Sequence, residues 1–245
     1  VYFPENVDEV VAIVKEANTN KTKVTIAGNG TGLTGARVPQ NGIVIATDKL
    51  NRILEINPTE YYAVIEPAVL LSDFQKELKQ QNRFHPPDPT ETNCYIGGTV
   101  ATNASGAKTF KYGPTRDYVI GLQVVLPDGE AIDLERGKQK AIGYELSLTT
   151  QSGKNISLKI PDYTFPAVKN ASGYFVKKDM DAIDLFIGSE GTLGIITKIK
   201  LKLLPQPEDT ISCVLFFEDE ITALNFLEEA RDTSYHNKKN NTKDN

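Results

Sequence analysis

The N-terminal segment carries apolar side chains at helical spacing, at Val7, Val10, Val11, Val14 and Ala17. Apolar residues three and four positions apart lie on one face of a helix. Asn6 stands where an N-cap residue is expected, and Glu9 occupies the position of its capping-box partner. The pattern therefore predicts an amphipathic helix on the surface of a domain.

Shorter apolar runs predict strands in the next part of the chain, at residues 23–27, 43–47 and 62–66. A glycine-rich turn separates the first two runs. After the third, Ser72 and Gln75 have the spacing of a helix start, and Phe74 and Leu78 are expected to face inward.

The segment from Pro86 to Gly113 shows no sustained helical or strand period and is rich in proline, glycine and small polar residues. A long unpatterned stretch inside a compact domain is either disordered or functional. Small apolar residues such as Val100 and Ala101 are interleaved in it. They favour an ordered, closely packed loop.

The second half of the chain returns to strand patterns. Apolar runs at 122–126 and 131–134 flank Asp128-Gly129, which predicts a hairpin. Farther on, Ile199, Leu201 and Leu203 alternate with lysines, which predicts a half-buried strand ended by prolines at 205 and 207. The pattern then predicts a strand at residues 211–217, a helix at 221–230 and a polar tail at 235–245. We expect a second, incomplete domain to begin after the prolines.

Composition excludes several classes of function. The chain is 40% hydrophobic and 24% charged, as is usual for a globular protein, and its net charge of −5 argues against nucleic-acid binding. The sequence has no apolar run of the roughly 18 residues that cross a bilayer and no secretion leader. We expect a cytoplasmic protein, with peripheral membrane association left open because the chain starts at Val1 rather than Met.

Side chains suited to catalysis are scarce. The histidines are His85 and His236, and the cysteines are Cys94 and Cys213. This set does not furnish a zinc site, a Ser-His-Asp triad or an iron–sulfur cluster. Both cysteines are expected to be buried apolar residues, and His85 to be a packing residue in its loop. We therefore expect no metal site, and a cofactor is the natural carrier of any chemistry.

A glycine loop follows the first predicted strand, and from Gly30 to Gly35 it matches the pattern G-x-G-x-x-G. The Rossmann use of that pattern needs a helix to begin inside the loop, whereas Pro39, Gly42 and a further strand follow at once. A P-loop is excluded because no Gly-Lys-Ser/Thr follows. Two interpretations remain: a nest of backbone N–H groups that binds an anion, or a glycine-rich surface turn.

Three segments together resemble a known family. They are Ala27-Gly28-Asn29-Gly30-Thr31-Gly32-Leu33-Thr34-Gly35, then Pro87-Asp88-Pro89 with Ile96-Gly97-Gly98-Thr99-Val100-Ala101-Thr102-Asn103-Ala104-Ser105-Gly106, and Gly188-Ser189-Glu190-Gly191-Thr192-Leu193-Gly194-Ile195-Ile196-Thr197. In this order they resemble the FAD-binding domain of the vanillyl-alcohol oxidase (PCMH) type. The similarity is greatest to glycolate oxidase FAD subunits, D-lactate dehydrogenases and D-2-hydroxyglutarate dehydrogenases, and it covers about residues 1–205.

The resemblance implies two α+β subdomains, residues 1–66 and 67–205, with FAD between them, and a truncated substrate (cap) domain that starts at 206–245. It implies pyrophosphate contacts from Gly28, Asn29, Gly30, Thr31, Gly32, Ala36 and Arg37. It implies a central channel lined by Asp88, Pro89, Thr90, Gly97, Gly98, Thr102, Asn103, Ala104, Ser105 and Gly106. It implies contacts to the adenosine side from Glu190, Gly191, Gly194, Ile195 and Ile196. It implies no catalytic residue in this chain.

Two departures from the family pattern bear on the cofactor. Covalent members carry a His where Thr31 stands, so the resemblance implies non-covalent FAD. Relatives often have Arg before the loop where this chain has Ala27, which would weaken phosphate binding. Cys94 is not at the offset used for flavin attachment in berberine-bridge relatives.

The implied activity is the oxidation of a D-2-hydroxy acid by hydride transfer to FAD, with the fragment alone expected to turn over poorly. Two alternatives stay open. The first is a sugar or alcohol oxidase, or a cell-wall reductase, of the same fold. The second is an electron-relay subunit that works with an iron–sulfur or other electron-acceptor partner.

Overall fold

The computed structural model describes residues 1–166 and 168–240. They belong to two compact units, Val1–Gln206 and a second unit that begins at Pro207. The helices of the first unit are α1 (Val7–Thr19), α2 (Leu71–Gln80), α3 (Ile96–Ala101), α4 (Thr109–Tyr112) and α5 (Ile183–Phe186), with a 3-10 turn at Thr115–Tyr118. Its strands are β1 (Val24–Ala27), β2 (Ile43–Ala46), β3 (Ile53–Asn57), β4 (Tyr62–Ile65), β5 (Arg83–Phe84), β6 (Val119–Val125), β7 (Ala131–Glu135), β8 (Glu145–Thr149), β9 (Asn155–Lys159), β10 (Ile195–Lys202) and β11 (Leu204–Pro205).

Helix α1 and strands β1 and β2 form the N-terminal layer. The predicted helix and its cap are confirmed: the Asn6 carboxamide oxygen accepts the Glu9 N–H at 3.0 Å. Val10 and Val14 of α1 pack with Ile45 of β2 and with Val125 and Ile195 of the main sheet. Strands β1 and β2 pair in parallel, so the chain between them, residues 28–42, must cross from one end of the pair to the other. This crossing contains the glycine loop.

The main sheet is antiparallel, with the strand order β3-β4-β10-β6-β7. The alternation predicted around Ile199 and Leu201 is confirmed, because both are fully buried in β10 while Lys198 and Lys200 are partly exposed. The Asp128-Gly129 hairpin is also confirmed: Gly129 has φ +82° and joins β6 to β7. The predicted boundary at residue 66 does not follow an edge of the sheet, since β4 pairs directly with β10. That boundary stays a prediction.

Two local predictions in this unit are wrong. The second predicted helix is present, with Phe74 and Leu78 buried as expected, but it begins at Leu71, with no side-chain cap, rather than at Ser72. The stretch from Pro86 to Gly113 is ordered but contains α3 and α4, which the sequence did not indicate. Gly97 and Gly98 make the sequence of α3 unlike that of a helix, because glycine disfavours a helix by about 1 kcal/mol relative to alanine. Tertiary contacts overcome that preference: the N–H groups of Ile96 and Gly97 donate to Val69 O and Pro67 O at 3.0 and 2.7 Å.

The second unit contains helix α6 (Glu220–Lys239). Its N-cap residue is Asp219, whose carboxylate accepts the Thr222 N–H at 2.7 Å. The helix was predicted for 221–230 only, so it extends into the expected polar tail; residues 241–245 of that tail lie outside the described residues. The strand predicted at 211–217 is wrong. None of the described strands pairs with this segment through backbone hydrogen bonds, and its apolar side chains are exposed. Cys213 is exposed as well, so the prediction that it is buried is wrong. No helix in the described part of the chain is both long and apolar enough to cross a bilayer.

Candidate functional site

The three small-residue segments meet in one cleft of about 260 Å³ in the first unit. The glycine loop after β1 forms one wall, α3 and the residues beside it form a second, and the turn before β10 forms the third. The predicted site residues that line the cleft are Gly28, Asn29, Gly30, Thr31, Gly32, Ala36, Arg37, Pro89, Gly97, Gly98, Thr102, Ala104, Glu190, Gly191, Gly194 and Ile196. Residues far apart in sequence are thus brought to one place, while their roles as ligand contacts remain predictions.

Six predicted site residues, Asp88, Thr90, Asn103, Ser105, Gly106 and Ile195, do not line the cleft. Asp88 instead pairs with Lys108 at 2.9 Å, and Asn103 accepts the Arg116 N–H at 3.0 Å. Ile195 is buried against α1. A Cβ at Gly106 would overlap the Asp88 carbonyl, so that glycine serves close backbone packing. Asp88, Asn103, Ile195 and Gly106 thus make contacts within the protein.

Nine lining residues were not predicted: Ile26, Thr34, Thr47, Pro67, Glu91, Cys94, Tyr95, Thr99 and Ala101. Tyr95 caps α3 and its hydroxyl donates to Asp48 at 3.3 Å. Burial raises the pKa of the Cys94 thiol to about 11, so it stays protonated, in keeping with the expected packing role. Proximity of Cys94 and Tyr95 to the Ile96-Gly97-Gly98 run was the available signal for both residues.

Hydrogen bonds tie the three walls together. Asn29 Nδ2 donates to Asn93 O at 2.5 Å and joins the glycine loop to the segment before α3. The N–H groups of Gly188 and Glu190 donate to Val100 O and Ala101 O at 3.0 and 2.9 Å and join the third wall to α3. The cleft is therefore a built part of the fold rather than a gap between independent loops.

Five of the glycines that line the cleft fall into two groups. At Gly97 a Cβ would lie 2.5 Å from Pro67 Cβ, and at Gly194 it would lie 2.6 Å from Val124 Cγ1, so both are required for packing. At Gly32 and Gly98 a Cβ would meet no atom within 4 Å, and at Gly28 only a Tyr95 ring atom at 3.8 Å. Glycine at these three positions leaves space in the cleft that the fold itself does not use.

His85 lies beside the Pro86–Pro89 segment and not in the cleft wall. It is 1% exposed and packs edge-on against the rings of Phe74 and Tyr118, as the packing interpretation expected. Neither ring nitrogen has a hydrogen-bond partner among the described residues. Burial lowers the pKa of His85 to about 3, so the ring is neutral at physiological pH.

A pH dependence follows from His85. Between its unfolded pKa near 6.5 and the folded value of about 3, only the unfolded chain takes up the proton, so stability falls as the pH is lowered through this window. From about pH 7.5 to about pH 5 the loss from this one group is about 2 kcal/mol. We expect His85→Phe to lack this component. Urea unfolding of both proteins at the two pH values measures it, and identical pH dependence would contradict it.

The fold and the cleft define a class of protein: an α+β domain with a cleft lined by glycines and other small residues from three segments. A comparison with family profiles matches residues 1–135 to the FAD binding domain family. The chain belongs to this family, and FAD is the cofactor that the family binds.

Curated relatives agree with this assignment. The chain is 38% identical over 213 residues to a D-lactate dehydrogenase from Anaerostipes hadrus, with 86% of this chain and 38% of the relative covered. It is 32% identical over 221 residues to the glycolate oxidase subunit GlcD of Bacillus subtilis, covering 89% and 40%. A D-2-hydroxyglutarate dehydrogenase from Stutzerimonas stutzeri is 32% identical over 217 residues, covering 88% and 39%. The chain thus spans about two fifths of the length of these relatives.

Among solved structures, an alkyldihydroxyacetonephosphate synthase matches 84% of this chain and 34% of its own, with a TM-score of 0.60 and 23% identity. This similarity shows the fold. The residues present also fit the family's cofactor, because Gly28, Gly32 and Gly98 leave room along the cleft for a ligand that approaches the backbone closely.

Proposed function

We propose that this chain holds FAD non-covalently in the cleft and is the FAD-binding part of an oxidoreductase that oxidises a D-2-hydroxy acid. The observation that carries the proposal is the convergence of the three segments on one cleft in which Gly28, Gly32 and Gly98 face open space. Non-covalent binding is supported by the chemistry of the wall. Thr31 is a poor nucleophile, the Cys94 thiol is protonated, and no histidine is among the lining residues that the structure describes.

The chain's own residues would bind and orient the cofactor. Backbone N–H groups of the loop Gly28–Gly32, with Ala36 and Arg37, would hold the pyrophosphate, each hydrogen bond to a charged acceptor contributing about 1.5–3 kcal/mol. Residues of α3 would line the middle of the cofactor, and Glu190, Gly191, Gly194 and Ile196 the adenosine side. Bound FAD supplies a hydride acceptor for the substrate. We assign no catalytic residue to this chain, and poor turnover by the chain alone stays a prediction.

The substrate class is supported by the relatives' names. Lactate, glycolate and 2-hydroxyglutarate all carry a hydroxyl group on the carbon next to a carboxylate, and the three names belong to separate relatives. An electron-relay role beside a partner is a second proposal, favoured by one relative being named as a subunit. A sugar- or alcohol-oxidising role has no such support. The cytoplasmic location stays a prediction.

The cofactor proposal predicts yellow protein whose colour is released by acid. We expect the purified protein, after addition of FAD where needed, to show flavin absorbance, and acid precipitation to leave that absorbance in the supernatant. Colour in the pellet would contradict non-covalent binding, and protein that takes up no flavin at all would contradict the whole proposal. In a complex purified with its partners, broad additional visible absorption would favour the electron-relay role.

A further inference from the structure

The described residues that line the cleft include three charged side chains, those of Arg37, Glu91 and Glu190. The two carboxylates have the same sign of charge as a pyrophosphate. Glu91 is also engaged locally, since its Oε1 accepts the Asn93 N–H at 2.8 Å. Any electrostatic attraction between lining side chains and a diphosphate must therefore come from Arg37.

Arg37 lies directly over the glycine loop. A Cβ built on Gly30 would overlap its guanidinium group, so the side chain rests against the backbone of residue 30. The turn that returns the chain is closed by the Val38 N–H, which donates to Gly35 O at 2.9 Å. Gly30 itself has φ +78°, a conformation that other residues adopt only with strain. The loop thus brings a cation and its own N–H groups to the same wall.

Among the residues that the structure describes, Arg37 is the one arginine whose side chain has no hydrogen-bond or ion-pair partner. Within residues 1–166 and 168–240 it makes no hydrogen bond or ion pair through its side chain. The remaining arginines are engaged: Arg52 with Glu66, Arg83 with Pro58 O, Arg116 and Arg136 with Asp184, and Arg231 with Asp232. A guanidinium has five donors in a planar fork that matches phosphate oxygens, so its donors are available to a ligand in the cleft.

We propose that Arg37 selects for the diphosphate of the ligand, its guanidinium donating to pyrophosphate oxygens beside the N–H groups of the glycine loop. The inference rests on the proposed function, because it assumes a dinucleotide in this cleft. It adds to the proposed main-chain contacts the positive charge of one side chain, which would recognise the negative charge of the diphosphate.

The test compares FAD with ADP and adenosine, of which the last two differ only in the diphosphate. Wild type, Arg37→Met and Arg37→Lys are titrated with FAD, ADP and adenosine by calorimetry at low and high salt. We expect Arg37→Met to bind FAD and ADP about tenfold to hundredfold more weakly, with a smaller dependence on salt. Adenosine binding is expected to be unchanged, and Arg37→Lys to recover part of the loss. Lys76→Met, on the 75% exposed side chain of α2, is the control for a lost positive charge.

The outcomes separate two failures. Wild type that binds neither FAD nor ADP would overturn the proposed function and this inference with it. Wild type that binds FAD while Arg37→Met binds it equally well would overturn the inference alone. The inference alone would also fail if Arg37→Met lost adenosine as much as ADP, or if Lys76→Met weakened FAD binding to the same degree. Melting temperatures of all variants check the fold, which an exposed, unpartnered side chain is not expected to affect.

Discussion

Replacing Gly98 by alanine is expected to weaken FAD binding about tenfold to hundredfold while leaving the apoprotein at least as stable as wild type. Gly98 lies in α3 and lines the cleft. A Cβ at this position would meet no atom of the protein within 4 Å and would therefore project into the space of the ligand. Alanine also favours a helix over glycine by about 0.5–1 kcal/mol, so the effects on stability and on binding have opposite signs.

The neighbouring glycine provides the matched control. At Gly97 the same methyl group would lie 2.5 Å from Pro67 Cβ and 2.8 Å from Pro67 O, which are parts of a rigid proline. We expect Gly97→Ala to lower the free energy of unfolding by about 1–3 kcal/mol through overpacking. Thermal unfolding of the apoproteins and titration with FAD measure both quantities. A Gly98→Ala protein that binds FAD like wild type would show that the ligand does not approach α3.

The contrast between these two glycines marks how far the sequence can predict the site. The repeated small residues indicate close backbone approach, and the three segments indicate a common ligand. The sequence does not say which glycine faces the ligand and which faces the fold, because that depends on Pro67 and Val124, which lie 30 and 70 positions away from Gly97 and Gly194. The six predicted site residues that do not line the cleft show the same limit.

Local features of the fold were predictable for the same physical reason. The Asn6 cap and the Asp128-Gly129 turn depend on neighbours within a few residues, and the alternation in β10 depends only on which face of the strand is buried. The sheet order β3-β4-β10-β6-β7 depends on pairing between strands about 130 residues apart. Hydrophobic periodicity does not identify which strands pair with each other. The prediction of a strand at 211–217 was wrong because a strand-like hydrophobic pattern does not guarantee a second strand to pair with.

Arg116 and Arg136 form an ion pair network with Asp184 that the sequence did not indicate. The carboxylate that both arginines share is Asp184, which lies 3.1 Å from Arg116 and 3.0 Å from Arg136. Arg116 also donates to Ile187 O at 2.6 Å, beside the turn that forms the third wall. Burial lowers the pKa of Arg116, and the Asp184 charge opposes that shift. The Asp184 carboxylate thus holds two guanidinium groups close together where the side chains are mostly shielded from solvent.

Replacing Asp184 by alanine is expected to destabilise the protein by about 3 kcal/mol or more. The side chains of Asp184 and Arg116 are each 13% exposed, so the variant would leave two neighbouring guanidinium groups with little water and no shared counter-charge. Asp184→Asn keeps the shape and one acceptor oxygen but loses the charge, and we expect an intermediate loss. Urea unfolding at neutral pH measures both variants.

The matched control for Asp184→Ala is the exposed pair of Glu135 and Lys138, whose side chains are 51% and 66% exposed. Glu135→Gln should cost less than about 1 kcal/mol, because solvent screens an exposed pair. Equal effects of Asp184→Ala and Glu135→Gln would mean that water reaches Asp184 and that the network does not support the wall. Arg116 links Asn103, next to α3, to Ile187, which precedes the third wall of the cleft. If the ion pair network supports that wall, we expect folded Asp184→Asn protein to release FAD faster than wild type.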